Sequence, residues 1–387
     1  MQIPILYGPN CLRDSIWCEQ IRIGMEQLAA QRRYTLYKID GDSYRTVDYD
    51  ALFENSPRLM ILISAERAWT AQALSFLEKQ SVQVILIDDF TTKSSAIQGQ
   101  VLFHYENAIR TLLGHLRDCG CSRPALFGYL DSSAADALKK RYFVQELQGQ
   151  GVRDPEAFCF ENRKNLDDCY DAFSKQIGRF DSVICVNDIA AVLLVRHLMR
   201  DRIRIPGDLQ VVTVGSSTKL RQIQSATITG IDFSDRELGR NAVLLFRYLW
   251  HDFCDNGSSH IYGKIYVSGK LSQGNTTAVA ELPTEEATDS AASADRASGP
   301  HNFYEDRSVH SYSTVERLIH ACDEKDLQIL HDLLEDISYE KISDGLFLSK
   351  SSVHYRIRRM EKIVGVQSLE KLKCFLRSGR FEEFLKP

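Results

Sequence analysis

Over its first 280 residues the chain alternates short apolar runs with amphipathic stretches, and nothing else in the sequence restricts the fold as much. Residues 3–7, 34–39, 59–64, 82–88, 124–129, 180–186 and 209–214 read as strands. Residues 15–32, 71–79, 106–119, 134–148 and 190–200 read as helices, the first turning Ile16, Ile23 and Leu28 inward. Residues between 89 and 105 read as a polar connection. Strand–helix alternation predicts an α/β class, with parallel sheets covered by helices on both faces. Ligands in such folds sit beyond the C-terminal ends of the strands.

A chain of 387 residues is too long for one average domain, so about two or three are expected. An apolar content of 44% and a charged content of 26% are those of a globular protein. The net charge of −5 excludes a chain coated with nucleic acid. It permits a small basic head, because counterion release depends on the local charge at the phosphates. The 10 cysteines are irregularly spaced, and Cys119 and Cys121 are the only close pair. No CxxC completes a zinc set, so free thiols of a reducing cytoplasm and no metal are expected. The absence of a long apolar run predicts no membrane partner, and the N-terminal MQIPILYGPN reads as a first strand rather than a leader.

Residues 326–374 carry three short helical patterns in succession. Leu327, Leu330, Leu333 and Leu334 line one face of the first. Ser338 caps the second, which carries Ile342 and Leu346. Ser349 caps the third, where Val353, Ile357, Met360 and Val364 form an apolar stripe. The other faces of the third helix offer Lys350, Ser351, Ser352, His354, Tyr355, Arg356, Arg358, Arg359 and Lys362. One face packs and the other presents cations and donors, which suits a helix in a DNA groove. An ordinary three-helix bundle with a solvated basic face has the same periodicity.

The run LFLSKSSVHYRIRRMEKIVGV resembles the helix-turn-helix of LuxR-type regulators. Ser352–Val353 stands for their Thr-Val pair, and Val364-Gly365-Val366 for their closing triplet. VHYRIRRMEKIVG also resembles the C-terminal helix-turn-helix of PucR-type regulators. One departure is Gly345 inside the second helix, where glycine costs ~1 kcal/mol against alanine. Either parentage implies double-stranded operator DNA as a partner.

The first 280 residues resemble the two-lobed sensor of lactose-repressor-family regulators, itself similar to periplasmic sugar-binding proteins. VQVILIDD, HLRDCGCSRPALFGYLDSS, FDSVICVNDIAAV, RIRIPGDLQVVTVG and ITGIDFSDRELGRNAVLLF carry this resemblance. It implies a two-lobed sensor over 1–280, a small-molecule effector of unknown identity, and homodimers that pair through lobe faces. It implies a pocket touched by Tyr7, Asn10, Ser64 and Asp88 in the first lobe. In the second lobe it implies Asn187, Asp188 and Ser216, with Lys139 where the family places an arginine. Asp188 also reads as a helix N-cap, which competes with a ligand role. Lysine lacks the guanidinium fork, and Gly215–Ser216 replaces a family aspartate, so a plain sugar fits poorly. The family carries its helix-turn-helix before the sensor, whereas here it follows.

Residues 281–312 are rich in Ala, Ser, Thr and acids and read as a flexible linker. Residues 313–387 form a small all-α head, which Ser313 and Glu316 open as a capping box. The segment 269–277 has P-loop spacing, but Asn275 stands where the phosphate-binding lysine belongs. No nucleophile or metal motif supplies catalysis, so no catalytic residue, enzyme activity or cofactor is expected. The expected function is a cytoplasmic transcriptional regulator whose effector, by closing the lobes, changes the dimer and its grip on the operator. Two rivals stand beside it: a solute-binding protein with a structural helical tail, and a ligand-free regulator acting through protein contacts.

Overall fold

Strand-forming runs such as Ile3–Leu6 and Leu59–Ile63 are apolar on both faces, and such runs are stable only in the middle of a covered parallel sheet. The computed structural model builds two such sheets. It describes residues 1–9, 11, 15–64, 66–87, 94–216, 219–223, 225–257, 261–278, 306–379 and 381–385. The architecture is a two-lobed α/β fold with a helical domain at its C-terminal end. Contacts divide it into one unit of residues 1–111, 133–146 and 232–270 and another of 112–132, 147–231 and 271–387. Among the described residues no helix is long and apolar enough to cross a membrane.

In chain order the strands are β1 (Gln2–Tyr7), β2 (Thr35–Asp40), β3 (Leu59–Ile63), β4 (Gln83–Ile87), β5 (Ile97–Phe103), β6 (Pro124–Tyr129) and β7 (Cys159–Glu161). They continue with β8 (Ser182–Cys185), β9 (Gln210–Gly215), β10 (Gln222–Ile223), β11 (Ala226–Thr227), β12 (Thr229–Asp232), β13 (Gly263–Val267) and β14 (Lys270–Ser272). The main helices are α1 (Ile16–Arg32), α2 (Arg67–Lys79), α3 (Tyr105–Asp118), α4 (Ala134–Gly149), α5 (Leu166–Ser174), α6 (Asp188–Arg200) and α7 (Asp235–Asn256).

The first unit orders its strands β13-β5-β4-β3-β1-β2, and every pair is parallel. Strand β5 lies where a polar connection was expected. Its IQGQVLF run is broken by glutamines and a glycine, and the buried Gln100 accepts from the Tyr262 hydroxyl at 2.6 Å. A partner so far along the chain leaves no local trace.

Helix α1 begins at Ser15, whose Oγ accepts the Cys18 N–H at 3.3 Å. It turns Cys18, Ile21, Met25 and Leu28 inward, while Ile16 and Ile23 are only half-buried, contrary to expectation. The reason is α7. A Cβ on Gly24 would stand 2.0 Å from the Arg236 carbonyl oxygen, and one on Gly239 would stand 2.0 Å from that of Ile21. The two backbones therefore touch, which fixes the rotation of α1. Gly24→Ala should cost about 1–3 kcal/mol through forced separation of the helices. Thermal unfolding of Gly24→Ala, Gly239→Ala and the pair should show effects that do not add, because both remove one contact.

Cys11 and Cys18 form a disulfide with their Cα atoms 5.8 Å apart, so the expectation of free thiols throughout fails for this pair. Spacing gave no hint of it, since a C-x6-C separation has no metal or redox signature.

The second unit orders its strands β14-β12-β9-β8-β6-β7, with β7, β6, β8 and β9 parallel. The sequence reading omitted α5. Its buried Leu166, Cys169, Tyr170 and Phe173 have helical spacing, and Asn165 caps it by accepting the Asp168 N–H at 2.7 Å. The charged run ENRKNLDD concealed this pattern.

The C-terminal helices are α8 (Arg307–Ala321), α9 (Glu324–Leu334), α10 (Tyr339–Gly345), α11 (Lys350–Val364) and α12 (Leu369–Ser378), followed by a 3₁₀ turn over Phe381–Phe384. Helix α8 starts at Arg307, so Ser313 and Glu316 lie inside it and open nothing. The capping box belongs instead to Asp323 and Asp326 at the head of α9. Residues 279–305, most of the expected linker, lie outside the described residues. One apolar core runs from Phe127, Ala190 and Leu194 into Val315, Leu330, Val353 and Met360. The helical domain and the second sheet thus share a core.

Candidate functional site

Tyr7 ends β1 and Ser64 follows β3, and because Tyr7 pairs with Ile63 the two lie side by side at the C-terminal edge of the first sheet. A Cβ on Gly8 would meet the Ser64 Oγ at 2.5 Å, so only glycine lets the chain turn there. Ser64 is buried, and its Oγ accepts the Glu66 N–H at 3.0 Å. Burial pushes the Tyr7 phenol well above its usual range, which keeps it neutral. Asn10 and Asp88 lie outside the described residues. Lys139 is buried on α4, its Nζ donating to Asp136 at 3.2 Å and sitting 5.0 Å from the centre of the Tyr105 ring.

In the second unit the ends of β8 and β9 bring Asn187, Asp188 and Ser216 together. The cap falls on Asn187 rather than on Asp188. Asn187 caps α6, its Oδ1 accepting the Ala190 N–H at 2.9 Å. Asp188 accepts from Arg221 Nε at 2.7 Å and from the Thr213 hydroxyl at 3.3 Å. Arg221 is 2% exposed and also donates to the Ile231 carbonyl at 2.8 Å. Gly215 is held against this pair, since a Cβ there would meet the Asp188 carboxylate at 2.2 Å. Ser216 follows, half-buried. Sequence reasoning missed Arg221, which sits in an unremarkable turn, and Asp136, whose i,i+3 spacing to Lys139 was readable.

In the helical domain Ser349 caps α11 by accepting the Ser352 N–H at 3.1 Å, as expected. Val353, Ile357 and Met360 are buried, and Gly365 ends the helix with φ 80°. Lys350, Ser351, His354, Tyr355, Arg358 and Lys362 are exposed, Tyr355 at 70%. Ser352 is half-buried. His354 stacks on Tyr339 of α10 at 4.6 Å, and Lys350 pairs with Glu340 at 2.6 Å. Arg356 and Arg359 have a different task. Both reach the fully buried Asp326, Arg356 at 2.7 Å, and Arg356 also meets Asp323 at 2.8 Å. The Arg356 guanidinium holds the Asp323 carboxyl below the usual carboxylate range. These arginines clamp α11 to the start of α9.

Residues 113–276 match the model of the periplasmic binding protein-like domain, and residues 323–363 match that of winged helix-turn-helix DNA-binding. The fold is periplasmic-binding-protein-like. The helix-turn-helix stands at its C-terminal end. The HTH-type transcriptional regulator GalR of Streptococcus thermophilus is 20% identical over 241 residues, covering 59% of this chain and 68% of that protein. A LacI family transcriptional regulator CCPA from Weissella paramesenteroides, solved with bound sucrose, superposes with a TM-score of 0.53 at 16% identity, over 72% of this chain and 99% of that one. The lac repressor dimer bound to operator and the anti-inducer ONPF superposes with a TM-score of 0.55 at 16% identity, over 71% and 93%. The helix-turn-helix match names the winged class rather than the LuxR type. Among the described residues after α11 there is no strand to form a wing, and α12 follows instead.

Proposed function

We propose that this chain is a transcriptional regulator acting in the cytoplasm, with an effector-sensing region over residues 1–280 and a DNA-binding head that includes 313–387. The observation that carries this reading is α11. Its apolar stripe is buried, Arg356 and Arg359 are tied to Asp326, and its outer face still offers His354, Tyr355, Arg358 and Lys362. Such a helix spends some cations on its own support and keeps others for a groove. The run LFLSKSSVHYRIRRMEKIVGV and the following α12 support a LuxR- or PucR-like head. A homodimer supplies the two half-sites that one short recognition helix needs.

The effector is a small molecule for which Tyr7, Ser64, Asn187 and Ser216, each at the C-terminal end of a strand of its own sheet, are the candidate contacts. Thermal-shift screening with sugars, nucleosides and amino acids identifies its class, because a bound ligand raises apparent stability by mass action. A second reading, a regulator without a ligand, is favoured by one observation: Lys139 and Asp188 already have ionic partners within their own units.

Selection of duplexes from a random pool, followed by anisotropy titration of the full chain, tests the DNA-binding reading. Tyr355→Ala or Arg358→Ala should change the preferred sequence, at about 1–3 kcal/mol per lost base contact. Lys362→Ala should weaken all sequences alike and lower the salt slope by about one. If none of these variants differs from the parent, or the full chain selects no duplex, the reading fails.

A further inference from the structure

Helix α6 begins at the Asn187–Asp188 corner and runs into the contact between the second sheet and the helical domain. Residues Asp188 to Val195 are all buried, so the helix has no slack. Arg196, the next residue, donates from Nη1 to the Gly379 carbonyl oxygen at 2.7 Å. Its guanidinium carbon lies 5.2 Å from the centre of the Tyr312 ring and 5.6 Å from that of Phe384. One side chain of the lobe therefore holds α8 and the C-terminal 3₁₀ turn together.

A second path leaves the same corner. Asp188 binds Arg221, and Arg221 directly precedes β10. Strand β10 packs on the turn Phe381–Phe384, with Leu220, Ile223, Phe381, Phe384 and Leu385 all buried in one core. A third tie lies to one side, where the Leu166 N–H donates to the Asp306 carboxylate at 3.1 Å. None of these contacts uses the exposed face of α11.

We infer that Arg196 is a positioning residue, a latch through which the state of the Asn187–Asp188 corner sets how firmly the head is held on the second lobe. The inference rests on the proposed function only in taking the head to be the DNA-binding part. A rotation or shift at the start of α6 moves Arg196, because a helix buried from Asp188 to Val195 moves as a unit. Arg196 then either keeps or releases segment 379–385. The head of this chain is governed through a docked surface rather than by a free linker.

The test needs no effector. Hydrogen exchange of the full chain is followed over segments 307–321 and 379–385. Arg196→Ala should speed exchange in both by about tenfold, through loss of the ring contacts and the carbonyl bond. Arg196→Lys, which keeps the charge but not the planar fork, should fall between. Weakening the distant cap should reach the same segments. Exchange in 379–385 should rise in the order Asn187→Ser, Asn187→Gly, Asn187→Ala, reaching about fivefold with alanine. In the Arg196→Ala background the Asn187 series should lose more than about half its effect, because only the path through Arg221 and β10 remains.

The inference is overturned by exchange in 379–385 that ignores the cap series, or by cap effects that persist in full without Arg196. If Asn187→Ala unfolds the lobe, the serine and glycine variants carry the same comparison. Binding to a mixed-sequence duplex at low salt separates the two ideas. A wild-type chain that shows the exchange coupling but binds no duplex removes the DNA-binding reading and leaves the latch. A salt slope about one lower in Arg196→Ala would make Arg196 a phosphate contact and remove the latch.

Discussion

Arg221→Ala should destabilise the second unit by about 3–5 kcal/mol, the usual consequence of leaving a buried carboxylate without its cation. Asp188 and Arg221 are 5% and 2% exposed, so water cannot take the place of the guanidinium. The pair also packs against Gly215, which leaves no room for a larger side chain to fill the gap. Replacing both partners, as in Asp188→Asn with Arg221→Met, should recover most of the loss, since no unpaired charge is left and the amide oxygen can still accept from the Thr213 hydroxyl. Chemical denaturation of the single and double variants checks this. A single variant within about 1 kcal/mol of the parent would show that the pair is hydrated in solution.

Asp326→Ala should have the next largest effect, about 3 kcal/mol on the helical domain. The figure sits at the low end for a broken buried pair because Arg356 and Arg359 retain access to water. The same carboxylate accepts the Asp323 N–H at 3.0 Å, so the reciprocal half of the α9 capping box is lost with it. DNA affinity should fall with no change in preferred sequence, which separates this residue from Tyr355 and Arg358. Circular dichroism melting beside duplex titration distinguishes the outcomes. A shifted sequence preference would mean that Asp326 acts through the reading face after all.

The alternation of apolar runs was enough to place most strands of both sheets, because strands buried on two faces must be almost wholly apolar. It failed at β5, where Tyr262 meets Gln100 and the Ile261 carbonyl meets Gln98, and at α5, whose pattern lay inside a charged run. The α11 stripe was legible because three buried residues at helical spacing leave few alternatives. Which of its cations are held by a carboxylate of the domain was not. Arg356 and Arg359 look like Arg358 in sequence, and only the position of Asp326 separates them. At the second sheet the Asn187–Asp188 pair was found, but the cap was placed on the wrong member, because Arg221, the partner that occupies Asp188, comes from a turn 33 residues away.

The pairing of β5 with β13 has a kinetic side. Val101 aligns with Ile265, so the outer strand of the first sheet is made long after its neighbour. Until residues 263–267 emerge from the ribosome, β5 offers an open edge of unpaired backbone groups, a template for intermolecular strand addition. Closing so long a loop also places this step late in folding. Chaperone dependence during synthesis should therefore concentrate on this edge, and charged substitutions at exposed positions of β13 should alter yield more than they alter the finished protein.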